Sequence, residues 1–211
     1  MEAVIVSGGE IKNYSFYNNV LKDKYIICAD GGIHHLEKLG IKPNLFLGDF
    51  DSCDFSQVEK SGIIDGADVE KYKIEKDKTD THIAIDIAIE KGFENITIIG
   101  ALGGRIDHEI ANIFLLKYML EKGVSGKIIN EKNEIFITDK PFDIMPRENK
   151  NISLIPLCDE VFGITLKNLK YPLNDFDLKM GDTICVSNEF KDEMASINFK
   201  KGILLVVISN D

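Results

Sequence analysis

Phe46-Leu47-Gly48-Asp49-Phe50-Asp51-Ser52 is the stretch that decides how this chain is organised. Asn44 to Gly48 reads as the end of a short apolar strand, and Gly48 lets the backbone turn tightly. Asp49 and Asp51 follow at a spacing of two. On extended backbone, alternate side chains share a face about 7 Å apart, and a turn brings them closer. Two carboxylates facing one way repel each other unless a cation lies between them or one takes up a proton. Hard oxygen ligands of this kind suit Mg²⁺, which keeps several waters and takes further ligands from phosphate. Taken alone, the same residues also read as an ordinary Asp-rich surface turn.

Toward the N-terminus the pattern repeats. Glu2 to Ser7 is an apolar, β-branched run ending in Ser7-Gly8-Gly9. It reads as a buried strand followed by a turn where backbone N–H groups can approach a ligand, or as a plain glycine turn. Ser15 to Lys22 reads as a helix. Tyr25 to Ala29 is a second buried strand, ending in Asp30-Gly31-Gly32, and the helix Ile33 to Leu39 is stopped by Gly40. Two strands thus run into glycine pairs, and in open parallel sheets ligands gather at the carboxyl ends of strands. The full GxGxxG spacing is missing, so the dinucleotide fingerprint does not apply.

Toward the C-terminus, Cys53 to Gly62 reads as helix or loop and Val69 to Ile74 as a strand. Glu75-Lys76-Asp77-Lys78-Thr79-Asp80 is a dense polar knot in which Thr79 or Asp80 can cap the helix that follows. Ile83, Ile87, Ala84 and Ala88 give that helix an apolar stripe, with Asp86 on a solvated face. Capping accounts for Thr79 and Asp80 but not for Asp77. Asn95 to Gly100 is a further strand, opening into Ala101-Leu102-Gly103-Gly104-Arg105-Ile106-Asp107-His108. A helix from about Asp107 to Lys122 follows, with Ile110, Ile113, Phe114 and Met119 expected on its buried side. Glycines before a helix N-terminus favour anions, and Arg105 adds a planar fork suited to phosphate. A surface ion pair for Arg105 and a helix cap for Asp107 remain open, and His108 reads as structural.

After Gly123 the helical patterns stop. Short β-like runs follow at Lys127 to Asn130, Glu134 to Thr138, Ile152 to Leu157, Val161 to Leu166, Thr183 to Ser187, Met194 to Asn198 and Ile203 to Ile208. This spacing predicts an all-β sandwich. The expected organisation is an α/β N-terminal domain with a largely parallel sheet over 1–125, and a β-sandwich C-terminal domain over 126–211. Ser187-Asn188-Glu189-Phe190 places small polar groups at a strand end, where they could hold a ligand or form a simple loop.

The 211 residues are 44% apolar and 28% charged, ordinary for a soluble globular protein. No apolar run is long enough to cross a membrane. Met1 to Val6 enters a strand without a basic lead, unlike a secretory signal. The cysteines Cys28, Cys53, Cys158 and Cys185 are scattered, which favours reduced thiols in a cytoplasmic protein over a zinc site. A net charge of -10 argues against a broad nucleic-acid surface.

Several segments together resemble the thiamine pyrophosphokinase family. They are Ala29-Asp30-Gly31-Gly32, Pro43 to Ser52 ending in GDFDS, Lys76 to Asp80 reading KDKTD, Gly103 to Asn112 reading GGRIDHEIAN, and Ser187 to Phe190 reading SNEF. They stand in the family's order and span most of the chain. In one departure, Glu75-Lys76-Asp77 stands where the family often has Asp-Gln-Asp. The resemblance implies diphosphate transfer from ATP to the hydroxyethyl oxygen of thiamine, with Mg²⁺ as cofactor. It also implies a homodimer holding thiamine between subunits, with no nucleic-acid or membrane partner. On that reading Asp49, Asp51 and Asp77 hold Mg²⁺. Arg105 and the turns Gly8-Gly9, Gly31-Gly32 and Gly103-Gly104 hold phosphates and nucleotide. Asp30 lies by the nucleotide, Asp107 orients donor or substrate, and Asp80 supports the site or caps its helix. Ser187 and Asn188 meet thiamine. A pterin diphosphotransferase, a non-catalytic nucleotide module and a DxD glycosyltransferase each fit part of the pattern.

Overall fold

A strand in a parallel sheet covered on both faces needs apolar residues on both its faces, whereas a strand with one wet face alternates. The first half of the chain carries the former pattern and the second half the latter. In the computed structural model, which describes residues 2–50, 53–73 and 77–210, the chain forms two compact units, one up to Glu131 and one from Lys132.

The first unit runs β1 (Glu2–Val6), α1 (Tyr14–Leu21), β2 (Tyr25–Ala29), α2 (Ile33–Leu39), β3 (Leu45–Gly48), α3 (Phe55–Ser61), β4 (Asp68–Lys71), α4 (Asp80–Glu90), β5 (Asn95–Ile99), α5 (Ile106–Glu121) and β6 (Ser125–Ile129). Its strands are all parallel, in the order β6-β5-β1-β2-β3-β4. Period-two alternation sends Val4 and Val6 to one face, where they pack with Cys28, Phe46 and Ile99 against Tyr17, Leu21, Leu36 and Val58 of the first three helices. The opposite face is covered by α4, which contacts β1, β2 and β3 and buries Ala84, Ile85 and Ala88.

The helix ends follow local chemistry. Asp54 caps α3, its carboxylate accepting from the N–H groups of Ser56 and Gln57. The alternative left open for Cys53 to Gly62 is thereby resolved as a helix. Thr79, rather than Asp80, caps α4, its hydroxyl accepting from the His82 N–H at 3.3 Å.

Three expectations change. Ile110 and Phe114 of α5 are 45% and 54% exposed and Ile113 is only half-buried, while Asn112, Leu116 and Met119 face inward. The helix is apolar on two sides, and only one of them meets the sheet. Asp86 is not a solvated residue: it is mostly covered, accepting from Tyr118 Oη at 2.6 Å and Lys78 Nζ at 2.5 Å. Ser125–Ile129, whose latter part was expected among the β-runs of the second half, pairs parallel with β5 and completes the first sheet.

The second unit contains β7 (Asn133–Thr138), β8 (Phe142–Ile144), β9 (Asn151–Pro156), β10 (Glu160–Lys167), β11 (Leu173–Lys179), β12 (Asn188–Glu189), β13 (Ala195–Asn198) and β14 (Leu204–Ser209). They pair antiparallel in the orders β12-β9-β14-β7 and β11-β10-β13-β8. Leu154, Val206 and Ile208 of the former set share one core with Val161, Leu166, Leu178 and Ile197 of the latter, as a sandwich requires. Thr183 to Ser187 was expected as a strand and is instead a turn, with Val186 N–H donating to Thr183 O at 3.0 Å. Only Cys185 of that stretch is buried. All four cysteines are free thiols.

Candidate active site

Parallel pairing in register brings strand ends together. Val6 lies beside Cys28 and Ile99, and Ala29 beside Leu47. The turns after β1, β2, β3 and β5 therefore emerge at one edge of the sheet. With the first turns of α4 and α5 they line a pocket of about 720 Å³.

The floor of this pocket is main chain packed on main chain. Gly9 N–H donates to Gly100 O at 2.6 Å, and a Cβ on Gly9 would stand 2.5 Å from that oxygen. A Cβ on Gly32 would stand 2.1 Å from Val6 O. Ser7 N–H donates to Ile99 O at 2.9 Å, and the Ser7 and Thr81 hydroxyls are hydrogen-bonded at 2.9 Å, tying the end of β1 to α4.

Asp30 is the residue least at ease in this floor. It follows β2 with φ of 40°, a left-handed conformation that a residue with a side chain adopts only when its surroundings impose it. It is only 9% exposed, and its Oδ1 is buried with no hydrogen-bond partner among the described residues. Gly48 makes room for it, since a Cβ there would lie 2.9 Å from Asp30 Cβ. A buried carboxylate oxygen with no partner costs free energy that a bound cation or donor would recover. Asp49, half-buried, stands on the same wall. Phe50 beside it also has a left-handed backbone, φ 65°, and its ring lies tilted against Phe46 at 4.6 Å and stacked on Phe55 at 4.7 Å. That aromatic anchor fixes the chain that carries Asp49.

His35 braces the glycine floor from behind. Its Nε2–H donates to Gly9 O at 2.7 Å, so its Nδ1 is the acceptor for Tyr14 Oη–H at 2.9 Å. Burial pushes its pKa below the ordinary value of 6.5, and the nearby Lys38 and His34 push the same way. A histidine whose folded pKa is depressed lends stability above its unfolded pKa, and that stability is lost as pH falls through the folded value. The melting temperature is therefore expected to drop between pH 7 and pH 5. His35→Gln should flatten that drop, with a remainder from His82, which burial also pushes down. Calorimetric scans across this range check it, and an unchanged slope in the variant removes His35 as the cause.

At the far wall, Arg105 lies exposed and folded onto Asp107, Nε to Oδ1 at 3.2 Å and Nη2 to Oδ2 at 2.6 Å. This two-point pair holds the Asp107 carboxyl below its usual range. Asp107 also accepts from His108 N–H at 3.0 Å. Ahead of α5, the N–H groups of Gly103 and Gly104 both donate to Glu109 Oε1, at 3.1 and 2.8 Å. Asn112 fixes the loop by donating to Ala101 O at 2.9 Å.

The structure thus brings Gly8, Gly9, Asp30, Gly31, Asp49, Asp80, Gly104 and Arg105 into one lining. Gly32 and Gly103 stand behind it as packing and turn positions, and Asp107 reaches it through Arg105. Asp77 is exposed and outside the lining. Asp51 and Glu75 lie outside the described residues. Among those described, no three His, Cys, Asp or Glu side chains are grouped to hold a metal ion. In the second unit, Ser187 is exposed with φ of 57°. Asn188 is buried, its amide bonded to Tyr171 on both sides, Nδ2 to O at 2.7 Å and Oδ1 from N–H at 3.0 Å. His34, Thr81 and Glu109 also line the pocket and were not singled out from the sequence. A carboxylate three residues past a helix start, able to reach back to a Gly-Gly pair, was the available signal for Glu109.

Backbone donors, a guanidinium and carboxylates gathered at the carboxyl edge of a parallel sheet define a phosphate-handling α/β protein. The family model described as thiamin pyrophosphokinase, catalytic domain, matches residues 17–128, and the thiamin pyrophosphokinase vitamin B1 binding domain matches 134–204. The thiamine pyrophosphokinase of Bacillus subtilis is 37% identical over 188 residues, 88% of this chain and 87% of that protein. The crystal structure of thiamine pyrophosphokinase from Bacillus subtilis superposes with a TM-score of 0.90 at 33% identity, covering 100% of both chains. That of thiamin pyrophosphokinase from Geobacillus thermodenitrificans gives 0.87 at 31% identity, covering 100% of this chain and 98% of that one. The chain belongs to the thiamin pyrophosphokinase family and is an enzyme of that type.

Proposed function

We infer that the first unit carries out the family reaction in this pocket, moving diphosphate from ATP to thiamine. The hydroxyethyl oxygen of thiamine bonds to the β-phosphorus, the bond from that phosphorus to the α–β bridging oxygen breaks, the hydroxyl proton passes to a carboxylate of the site, and AMP leaves. The observation that carries this reading is the pairing of opposite chemistries in one lining. The glycine turns and Arg105 present donors to phosphate, while Asp30 and Asp49 present hard oxygens.

Mg²⁺ suits that donor set, because the orphaned Asp30 oxygen and the Asp49 carboxylate belong to one lining that can receive positive charge. Asp49 would hold it from the lining, with Asp51 and, from outside the lining, Asp77 as the further carboxylates proposed for it. When bound, it neutralises charge on the phosphate oxygens as the bridging oxygen becomes anionic. The chain's own groups do the rest. The turns at Gly8-Gly9, Gly31-Gly32 and Gly103-Gly104 seat phosphates and nucleotide, Gly8, Gly31 and Gly104 from the lining and Gly9, Gly32 and Gly103 by the close packing that shapes it, with Asp30 beside the nucleotide. Arg105 stabilises the leaving oxygen, and Asp107 holds the guanidinium in the plane it presents. Asp80, on the first turn of α4, supports the wall that carries Thr81.

The unit up to Glu131 acts as the nucleotide and catalytic domain, and the unit from Lys132 as the thiamine-binding and dimerisation domain. Ser187 meets thiamine, while Asn188 fixes the loop that presents it. The working form is a homodimer in the cytoplasm, a compartment that suits four free thiols. Among the described residues no helix is long and apolar enough to cross a membrane. Purified protein given ATP, Mg²⁺ and thiamine should yield AMP and thiamine diphosphate in equal amounts. ADP as the product, or AMP released with a pterin alcohol but not with thiamine, would overturn the assignment.

A further inference from the structure

Glycine N–H groups that await a phosphate are seldom left bare, and here a carboxylate already holds them. Glu109 Oε1 receives both the Gly103 and Gly104 N–H groups, at 3.1 and 2.8 Å. Gly104 and Glu109 both line the pocket, so this carboxylate stands where a phosphate oxygen would accept the same two bonds. A second anion receiver is taken in the same way, since the Arg105 fork is turned onto Asp107 from the same helical turn. That the pocket is built for a ligand is indicated separately by Asp30, whose buried Oδ1 has no partner among the described residues.

We propose that Glu109 is a tethered anion that occupies the Gly103–Gly104 phosphate seat and must be displaced by nucleotide, so that it sets how tightly the enzyme holds phosphates. The proposal rests on the nucleotide reading of the pocket given above. An ionised carboxylate is an acceptor only, and its bonds to N–H groups are stronger than those of a neutral amide oxygen. A phosphate brings more charge and more oxygens, so it wins the seat, but against an occupant rather than against water. The tether costs little to release, because Glu109 is half-buried and its carboxylate has solvent to return to. A ligand with few phosphate contacts, such as the product AMP, suffers most from this competition, which favours its release.

The alternative is that Glu109 only staples the start of α5 by reaching back over its first turn. The two roles predict opposite signs. Calorimetric titration with AMP in Mg²⁺ buffer should show tighter binding in Glu109→Gln, roughly fivefold on the difference between charged and neutral hydrogen bonds. Glu109→Ala, which empties the seat, should also bind AMP more tightly, and the KM for ATP should fall in both. A staple predicts unchanged affinity in Glu109→Gln and weaker affinity in Glu109→Ala with a lowered melting temperature. Either of those results overturns the proposal. If neither the wild-type protein nor the variants bind AMP, the nucleotide reading of the pocket itself fails, and the tethered anion with it.

Discussion

Asp49→Asn is expected to slow thiamine diphosphate formation by about a hundredfold or more, the loss typical when one fixed charge at a reacting centre is removed. The substitution changes charge and hardly changes shape. Asp49 follows β3 directly, half-buried in the pocket wall, and the next residue, Phe50, is clustered with Phe46 and Phe55. The aromatic anchor does not depend on the charge of the neighbouring side chain, so the variant should still fold. The Mg²⁺ concentration needed for half-maximal rate should rise. Initial rates of AMP release across a Mg²⁺ titration, with circular dichroism as the control for folding, measure both. Turnover near the wild-type level in a folded variant removes Asp49 from the chemistry.

Gly32→Ala should act on the fold instead, destabilising the first unit by roughly 3 kcal/mol or more, the upper range for forced overpacking. The added methyl would stand 2.1 Å from Val6 O and 2.8 Å from Val6 C. Neither atom can retreat, because Val6 is held in register between Cys28 and Ile99 at the centre of the sheet. Gly104→Ala is the stability control, since nothing lies within 4 Å of a Cβ there. Urea unfolding should show a large fall in midpoint for Gly32→Ala with little change in slope, and almost none for Gly104→Ala. Equal midpoints for the two variants would show that the sheet edge yields more easily than its contacts imply.

How much could be read beforehand depends on whether a residue's role was local. The strands β1, β2, β3 and β5 were legible because each is an apolar run closed by glycine or by Asp and glycine, and a buried parallel strand needs just that composition. The helix α5 was legible as a helix but not in its orientation. Ile106, Ile110 and Phe114 make as good an apolar stripe as Leu116 and Met119, and only the sheet chooses between them. In the second unit, β11 escaped notice because Asn174, Asp175 and Asp177 make an edge strand look like a loop. Thr183 to Ser187 misled in the other direction. Its β-branched residues suggest a strand, yet Ile184 is 53% exposed and Cys185 alone is inserted into the core. At the site, the glycine turns, Asp30 and Asp49 sit at strand ends and could be found from strand periodicity. Thr81 and Glu109 could not, because each matters through a partner distant in sequence or through a turn whose geometry is set by tertiary packing. Asp86 is a similar case: its partners Lys78 and Tyr118 come from different segments, and only folding brings them to one carboxylate.

The floor beneath the ligand is peptide meeting peptide, with Gly9 against Gly100 and Gly32 against Val6. Such a surface has almost nothing that mutation can vary, since any side chain introduced there strikes a carbonyl. A substitution that changes which ligand is taken is therefore expected on the rim, in positions such as His34 and His108 that have solvent on one side. The floor thus acts as a fixed template, and whatever retunes the pocket has to be built from the groups that stand around it.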